Sequence, residues 1–482
     1  MRNTFVNWDA LIGLLIFAAL AGCSSSREEG VRYNIIFFML DDMGYADIGA
    51  YGNTYHKTPN IDQMAAEGML FTDAYAAAPN CSPTRGSMLT GLWPARTGIT
   101  QYLPGNVLPY AQLLQPDLPK GLSLEHSVIA EPLQSAGYAT ASIGKWHLGG
   151  GDYGPEARGF DTTFAGGHWN AHASMFAPHP FVEVPGSAEG DYLTDRLTSE
   201  ALAFIEASKD SPFFLYLPYY AIHGPIQAKQ SLIDNYEDRV DESGRNNATY
   251  AAMVEGVDQS VGQILEQLDA LNLSEHTIVF FYSDNGGVPS RAFNGPFASG
   301  KGYLWEGGIR VPLIVKWPGQ IREGVRSAVP VSSVDFYPTM LDIAGVPMPD
   351  GYEVDGESLL PILNQSGDLG RDALYWHYPH YSNAGATPTG AIREGEWKLI
   401  EFFEDGRVAL FNLADDPAES TDLSSQFPDR AAAMATKLAN WRIDVAAKPA
   451  LSNPMYDVDR ESERRGYRYK PAWDKAQPIL NP

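Results

Sequence analysis

The sequence has few cysteines and few positive charges, and each shortage excludes a class of protein. Its 482 residues include only two cysteines, Cys23 and Cys81, which is too few for a disulfide framework. Lys and Arg total 34 against 59 Asp and Glu, giving a formal net charge of −25. A surface this acidic repels polyphosphate, so we expect no nucleic-acid partner, and an anionic substrate requires a local basic pocket.

The sequence also lacks an N-terminal apolar run that comfortably spans a bilayer, because the run from Leu11 to Ala21 is too short. This run ends in the letters LAGC at Cys23, which resembles a bacterial lipobox. We therefore predict a signal peptide over residues 1–22, a lipid on Cys23 and a polar tether over residues 23–33. The mature protein is then exported and anchored in the cell envelope, at the outer membrane or in the periplasm. An ordinary signal peptide or a short N-terminal anchor is the alternative.

Short apolar runs separated by helical stretches predict an α/β fold whose sheet is buried on both faces. The clearest helix is predicted from Tyr250 to Leu271, where apolar residues recur at helical spacing. Weaker helices are predicted over residues 59–69, 125–136, 193–207 and 335–344. The predicted strands are Ile35–Leu40, Ala139–Ile143, Phe213–Leu217, Thr277–Tyr282 and Pro312–Val315.

The composition changes near residue 370, which indicates a smaller C-terminal unit. Trp397–Phe403 and Val408–Leu413 predict a β-hairpin, because Asp405-Gly406 between them favours a tight turn. An amphipathic helix is predicted over residues 429–446. The predicted divisions are a catalytic domain over residues 34–365, a subdomain with an antiparallel sheet and a helix over residues 366–450, and an extended tail over residues 451–482.

Polar and ionisable side chains follow four of the predicted strands. Asp41-Asp42 follow the first strand, and Gly144-Lys145-Trp146-His147 follow the second. His223 comes a few residues after the third strand, and Asp284-Asn285 come directly after the fourth. In open α/β sheets, ligand sites lie beyond the carboxyl ends of the strands. The sequence therefore predicts that these four segments converge on one site.

The stretch from Cys81 to Gly91, CSPTRGSMLTG, is the most specific motif in the chain. Pro83 suits the first turn of a helix, which places Cys81 at a helix N-terminus, where anions are favoured. Arg85 lies one turn further on and offers a fixed cationic fork. The stretch resembles the Cys-x-Pro-x-Arg signature of the sulfatase family. The resemblance implies that a maturase oxidises Cys81 to formylglycine, whose hydrate is the nucleophile.

The resemblance extends over about residues 34–345 and implies both the fold and the remaining site residues. The implied fold is alkaline-phosphatase-like, with a large mixed, mostly parallel sheet flanked by helices. Lys145 and His147 match the Gly-Lys-Trp-His element, His223 matches the His-Gly-Pro element, and Lys301 matches the late active-site lysine. The implied metal-binding positions are Asp41, Asp42, Asp284 and Asn285, together with Cys81.

The implied chemistry is hydrolysis of a sulfate ester. Three carboxylates and an amide oxygen form an all-oxygen set, which favours Ca²⁺, with Mg²⁺ second, over Zn²⁺. One hydroxyl of the formylglycine hydrate attacks sulfur, and the leaving alcohol takes a proton from His223 or Lys301. Arg85 and Lys145 are expected to stabilise the sulfuryl oxygens together with the metal. His147 is expected to assist the release of sulfate.

Substrate contacts are expected from loops, where aromatic rings beside basic groups suit a sulfated sugar. An exported enzyme of this kind suits a sulfated polysaccharide, with algal glycans such as ulvan or carrageenan preferred and host glycosaminoglycans next. One alternative is a phosphate or phosphonate monoester hydrolase of the same superfamily. Another is a surface lipoprotein that binds sulfated glycans without catalysis. The substrate-binding candidates are His168, Asn170, His172, Arg291 and His377.

Overall fold

The computed structural model describes residues 32–167, 174–180, 182–241 and 246–463, together with Met1. Cys23, the predicted lipid-bearing residue, lies outside these ranges. The chain divides into two compact units, Met1–Arg32 and Tyr33–Pro482. Among the helices of the described ranges, none has the length and apolar character needed to cross a bilayer.

In the described residues from Asn34 to Ala344, strands are interspersed with helices, as the apolar runs predict. The strands are β1 Asn34–Leu40, β2 Met69–Phe71, β3 Ala74–Tyr75, β4 Leu113–Leu114, β5 Ala139–Ile143, β6 Thr162–Phe164, β7 Phe213–Pro218, β8 Thr277–Ser283, β9 Leu313–Lys316, β10 Val325–Ser327, β11 Val331–Ser332, β12 Leu374–Tyr378, β13 Thr389–Glu394, β14 Trp397–Phe402, β15 Val408–Asn412 and β16 Leu451–Ser452. The α-helices are α1 Pro59–Ala66, α2 Cys81–Thr90, α3 Pro94–Thr97, α4 Ala130–Ser135, α5 Leu193–Ser208, α6 Gln230–Ile233, α7 Ala248–Ala270, α8 Glu306–Ile309, α9 Phe336–Ala344, α10 Leu360–Leu363 and α11 Pro428–Asp444.

The main sheet contains eight strands in the order β10-β2-β9-β8-β1-β7-β5-β6. At its centre β1 pairs in parallel with β7 and β8, and β5 pairs in parallel with β7 and β6. Strand β9 runs antiparallel to both of its neighbours, β8 and β2. The predicted fold class, a mixed and mostly parallel sheet flanked by helices, is therefore confirmed.

The central strand β1 shows why the strands of the main sheet have unbroken apolar sequences. All seven residues of β1 are buried, and successive side chains of a strand point to opposite faces. Ile36 and Phe38 join a core that includes residues of α5 and α7. Ile35 and Phe37 join a second core that includes residues of α2 and α9. Helices thus cover both faces of the sheet, which a parallel sheet requires.

Helix boundaries follow local chemistry. The predicted long helix is α7, and the Asn247 side chain caps it by accepting a hydrogen bond from the backbone N–H of Tyr250. The helix predicted over residues 125–136 is shorter, because α4 begins only at Ala130. Pro132 explains the difference, since it has no N–H and is tolerated in the first turn of a helix but not in its interior.

The C-terminal region has its own antiparallel sheet, in the order β12-β13-β14-β15. The predicted hairpin is β14–β15, and Gly406 turns it with a φ of 74°, in the left-handed region that favours glycine. Helix α11 packs on this sheet through Met434, Leu438 and Trp441, which belong to a third core. The predicted smaller sheet with its helix is therefore confirmed.

Candidate active site

The segments predicted to form the site lie at one edge of the main sheet. The neighbouring strands β8, β1, β7 and β5 run parallel to one another, so their carboxyl ends meet at the same edge. Asp41 and Asp42 follow β1, Asp284 follows β8, and Lys145 lies just beyond β5. His223 lies in the loop that follows β7. The sheet order thus brings together residues that are far apart in the sequence.

Cys81 is the first residue of α2, and Asn80 precedes it as the N-cap residue. Every residue of α2 is buried, which fixes the position of this N-terminus. The Cys81 sulfur lies 3.4 Å from Asp41 Oδ1 and 3.4 Å from Lys301 Nζ. Burial raises the pKa of the Cys81 thiol to about 12. The unmodified thiol is therefore protonated at neutral pH and is a poor nucleophile.

Three carboxylates surround the Cys81 sulfur. Asp41, Asp42, Asp284 and Cys81 each offer a ligand atom, and these atoms all lie within 4.8 Å of one another. All four residues are buried. Asn285 joins the cluster through its amide, because its Nδ2 donates to Asp42 Oδ1 at 2.9 Å. The structure therefore brings all five predicted metal-binding positions together.

The donor atoms of this cluster fit a hard divalent cation. Asp42 Oδ2 and Asn285 Oδ1 are buried and have no hydrogen-bond partner in the described part of the chain. Buried polar atoms without partners are costly, and a coordinated cation would satisfy both of them. Carboxylate and amide oxygens suit Ca²⁺ or Mg²⁺, whereas Zn²⁺ prefers imidazole and thiolate ligands.

Arg85 and Lys145 bind the carboxylates of the cluster. Arg85 donates from Nε and Nη2 to Asp284 Oδ2 at 2.9 and 2.7 Å, and from Nη1 to the Lys145 carbonyl at 2.9 Å. Lys145 Nζ lies 2.5 Å from Asp41 Oδ2, and the side chains of both cations are completely buried. From the sequence, both cations are expected to stabilise the sulfuryl oxygens of the substrate. Their contacts in the structure show a further action, which is to fix the orientation of Asp41 and Asp284.

Lys301 and His223 each lie near a different oxygen of the Asp42 carboxylate. Lys301 Nζ is 2.5 Å from Asp42 Oδ1, and His223 Nε2 is 3.9 Å from Asp42 Oδ2. Burial lowers the pKa of Lys301, but Asp42 and the neighbouring acids outweigh it, so the pKa is raised overall. Burial, followed by the Lys301 charge, lowers the pKa of His223 to about 3. His223 Nδ1 donates to the Gly224 carbonyl at 2.8 Å, so Nε2 of the neutral ring is a proton acceptor.

His147 is completely buried and has a φ of 58°, in the left-handed region. Its Nε2 donates to the Leu103 carbonyl at 2.7 Å, and its Nδ1 has no partner among the described residues. Burial, followed by the Lys145 charge, lowers the pKa of His147 well below its usual value. The ring is therefore neutral at pH 7, with Nδ1 as a proton acceptor.

A cavity of about 260 Å³ has Cys81, His147, His223 and Lys301 in its wall. Loops of both sheets build the rest of it, since Ser382–Ala384 connect β12 and β13. No motif or strand-end position in the sequence predicted these loop residues. Only Asn80 and Gly302 are next to a predicted site residue in the sequence, and that position was the one signal that could have identified them. The other lining residues are Asn80, Tyr102, Val288, Gly302, Ser382, Asn383 and Ala384.

The structure describes two of the predicted substrate-binding residues. A Cβ atom on Gly224 would lie 3.5 Å from a guanidinium nitrogen of Arg291, so Arg291 lies beside the loop that carries His223. His377 does not line the Cys81 cavity; it lines a different one, and its Nε2 donates to the Lys448 carbonyl at 2.9 Å. The remaining candidates, His168, Asn170 and His172, lie outside the described residues.

Comparison with known proteins agrees with this geometry. The chain matches the family described as Sulfatase over residues 33–346, and the family described as N-sulphoglucosamine sulphohydrolase, C-terminal, over residues 298–444. It is 32% identical over 513 residues to a sulfatase of Formosa agariphila, covering 90% of this chain and 93% of that one. It is 35% identical over 405 residues to the N-acetylgalactosamine-6-sulfatase of Rattus norvegicus, covering 78% of this chain and 74% of that one.

A similar solved structure is that of Ps i-CgsB in complex with k-i-k-neocarrahexaose. It is 31% identical to this chain, with a TM-score of 0.76, and the match covers 88% of this chain and 94% of that one. The sulfatase family match covers more than half of the chain, and the Formosa relative covers nine-tenths of it at 32% identity. The chain therefore belongs to the sulfatase family and is a sulfatase, a hydrolase of sulfate esters.

Proposed function

We propose that this sulfatase removes sulfate from a sulfated polysaccharide or oligosaccharide of algal type, with carrageenan ahead of ulvan and of host glycosaminoglycans. One observation carries the proposal: Ps i-CgsB, crystallised with k-i-k-neocarrahexaose, is 31% identical to this chain over 88% of its length. The composition of the cavity supports it, because the Lys301 ammonium suits an anionic ester. The amide and hydroxyl groups of Asn383 and Tyr102 suit sugar hydroxyls.

Formylglycine at position 81, made by a maturase, is the proposed nucleophile. When present, it supplies a geminal diol, whose second hydroxyl offers an exit from the sulfated intermediate that a plain Ser or Cys ester lacks. Two observations support the conversion. Cys81 lies at the buried N-terminus of α2, where anions are favoured, and burial raises the pKa of its thiol too far for thiolate chemistry at neutral pH.

A single divalent cation, with calcium preferred to magnesium, is the proposed metal. When bound, it supplies charge neutralisation at the sulfuryl oxygens. Arg85 and Lys145 hold two of its carboxylate ligands in place through the contacts at 2.7 and 2.5 Å. The residues that would hold the cation are Asp41, Asp42, Asp284 and Asn285, with position 81 beside them.

Proton transfers are assigned to three side chains in the cavity wall. The alcohol that leaves the ester needs a proton, and His223 and Lys301 are the two candidate donors. Of the two, Lys301 already carries a proton, whereas His223 must first gain one, because burial and the Lys301 charge lower its pKa. His147 Nδ1, which has no hydrogen-bond partner among the described residues, is the proposed acceptor of a proton when sulfate is released.

A substrate screen tests the proposed function. Purified enzyme is incubated with defined oligosaccharides of carrageenan, ulvan and glycosaminoglycans, and released sulfate is measured by ion chromatography. Phosphate and sulfate esters of one alcohol are compared in parallel, and mass spectrometry of the peptide around Cys81 shows whether formylglycine is present. Release of sulfate from no glycan, with turnover of aryl sulfates intact, would contradict the glycan proposal. Faster turnover of the phosphate ester would favour the phosphate or phosphonate hydrolase instead.

Export and anchoring through a lipid on Cys23 are also proposed, from the lipobox-like LAGC at residues 20–23. Labelling of cells with a radioactive fatty acid should tag the wild-type protein and not Cys23→Ser. The variant should also move from the membrane fraction to the soluble fraction. An unlabelled wild-type protein would leave an ordinary signal peptide as the explanation.

A further inference from the structure

Arg291 is a partly buried cation whose charge is not used within the described part of the protein. Its side chain forms no hydrogen bond or ion pair with another described residue, although the chain has a formal net charge of −25. Arg310 and Arg393, by contrast, both bind Asp73. The guanidinium of Arg291 is therefore available to a ligand.

Arg291 lies beside the wall of the catalytic cavity. Its backbone N–H donates to the Val288 carbonyl at 3.0 Å, and Val288 lines that cavity. Its guanidinium would lie 3.5 Å from a Cβ atom on Gly224, and the preceding residue, His223, also lines the cavity. The guanidinium is therefore held where two segments of the wall meet, beside the cavity and not within it.

The cations around Cys81 are already bound to carboxylates. Arg85, Lys145 and Lys301 each contact a carboxylate of the cluster at 2.5–2.7 Å. Burial is the main cause that lowers the pKa of the two histidines of the wall, so both rings are neutral. The remaining side chains of the wall are amides, hydroxyls and apolar groups. The cavity itself therefore offers no further cation to a substrate that carries a second anionic group.

The chemistry of a guanidinium indicates what Arg291 binds. Its planar fork of N–H donors matches two oxygens of a sulfate or a carboxylate. A full positive charge next to a site selects an anion over a neutral hydroxyl. A glycan with more than one anionic group near the reacting ester provides such a partner.

We propose that Arg291 binds a second anionic group of the glycan, on the sugar that carries the reacting sulfate ester or on the adjoining sugar. This inference rests on the proposed action on a glycan. Arg291 is then a specificity-determining residue, which favours substrates with two neighbouring anionic groups over substrates with one. Because the contact is made away from the reacting ester, it lowers KM more than it changes kcat.

Pairs of oligosaccharides that share one reacting ester test the proposal. One member has a second sulfate on the same or the adjoining sugar, and the other lacks it. Arg291→Gln should lower the ratio of kcat/KM between them at least about tenfold, as expected for loss of a charge-assisted hydrogen bond. Arg291→Lys, which keeps the charge and loses the fork, should retain part of the preference. A third oligosaccharide with a uronate in place of the second sulfate shows whether a carboxylate binds equally well.

Arg322→Gln is the matched control, because it removes the same charge. Arg322 is exposed and follows β9, which runs antiparallel to β8, so the carboxyl end of β9 lies at the edge of the sheet opposite Asp284. This variant should keep the wild-type ratio. An unchanged ratio in Arg291→Gln, or an equal fall in Arg322→Gln, would overturn the proposal.

Inhibition separates this inference from the proposed function and decides the question if the screen finds no glycan substrate. Sucrose octasulfate and inorganic sulfate are compared as inhibitors of aryl sulfate turnover. Arg291→Gln should raise the inhibition constant of sucrose octasulfate at least about fivefold relative to that of inorganic sulfate, and Arg322→Gln should not. That result supports the second anion site even if no glycan ester is cleaved, whereas equal ratios in the two variants refute it.

Discussion

Replacement of Lys398 by methionine is predicted to destabilise the fold by about 3–5 kcal/mol, because it removes one partner of a buried ion pair. Lys398 lies in β14 and is 0% exposed. Its Nζ is 2.9 Å from Glu306 Oε1 and 2.8 Å from Glu419 Oε1. Methionine has a similar length, so the lost charge rather than a lost volume dominates the effect.

Removal of the Lys398 charge should affect Glu419 more than Glu306. Glu306 has other partners, since Tyr75 donates to its Oε2 at 2.6 Å and Arg310 Nη1 lies 3.2 Å from the same atom. Burial raises the pKa of Glu306, but Lys398 and Arg310 outweigh it, so that pKa is lowered overall. Burial raises the pKa of Glu419, and Lys398 only partly opposes it. Without Lys398, the Glu419 carboxyl is therefore expected to take up a proton.

This shift gives the defect a definite pH dependence. A carboxyl whose pKa is raised on folding does not lower the free energy of unfolding at a pH below the usual Glu value of 4.5, because it is then protonated in both the folded and the unfolded state. The loss in free energy of unfolding grows as the pH rises towards the pKa of the carboxyl in the folded state. The difference in stability between wild type and Lys398→Met should thus be larger at pH 8 than at pH 5.

Urea denaturation followed by tryptophan fluorescence measures the effect, with Lys209→Met as the control. Lys209 forms an exposed pair with Glu206 at 2.7 Å, and its loss should leave the urea midpoint unchanged, because solvent screens exposed ion pairs. Adding Glu419→Gln to Lys398→Met should recover much of the stability, because it removes the uncompensated carboxylate. A cost of Lys398→Met below about 1 kcal/mol, or no recovery in the double variant, would refute the argument.

Four further predictions concern the active site and acid stability. Cys81→Ala should abolish turnover without a change in the urea midpoint, and full activity would contradict the formylglycine assignment. Asp284→Ala should lose bound metal by elemental analysis together with activity, and chelation that leaves the wild-type rate unchanged would exclude the metal. Lys301 already holds a proton, so Lys301→Ala should lose more activity on a sugar sulfate than on an activated aryl sulfate, by up to the roughly 10²–10⁴-fold of general acid catalysis, whereas a sugar-selective loss in His223→Ala instead would make His223 the acid. Burial lowers the pKa of His56 to about 4. The stability that its neutral ring confers is therefore present above about pH 6.5 and is lost as the pH falls towards 4. Over this range the urea midpoint of the wild type should fall more steeply than that of His56→Gln.

The sheet and the strand-end residues could be predicted from the sequence because the signals are local. Each central strand is buried on both faces, so its sequence is an unbroken apolar run followed by polar residues. Asp41-Asp42 and Asp284-Asn285 each lie directly after such a run. Parallel pairing of adjacent strands then brings the two segments together without further information.

The outer wall of the catalytic cavity could not be predicted in this way. Asn383 Nδ2 donates to the Tyr102 hydroxyl at 3.0 Å across 281 positions of sequence, and both residues lie in loops. No periodicity or motif marks either residue, because their proximity depends on how the antiparallel sheet packs against the main one. The same packing separates His377 from the Cys81 cavity, although its type and loop-rich surroundings suggested a substrate contact.

Protonation states also depend on the environment and not on residue type. An unperturbed imidazole titrates near pH 6.5 and an unperturbed lysine near about 10.4, so residue type alone favours His223 over Lys301 as the acid. In the structure, burial and the Lys301 charge lower the pKa of His223 to about 3. The environment of the pair thus favours Lys301 as the group that holds a proton before the substrate binds, and the comparison of sugar and aryl sulfates decides between them.

The charge of the site explains how a chain with a formal net charge of −25 can bind an anionic ester. Within the cluster, the cations Arg85, Lys145 and Lys301 offset the carboxylates Asp41, Asp42 and Asp284, so the protein groups alone nearly balance. A bound divalent cation would leave the centre positive in a buried setting, where charge interactions are screened less than at the surface. At 0.1 M salt, exposed charges more than roughly 10 Å from the site are largely screened. Affinity for the sulfate group is therefore expected to depend on these few residues and to vary little with salt concentration.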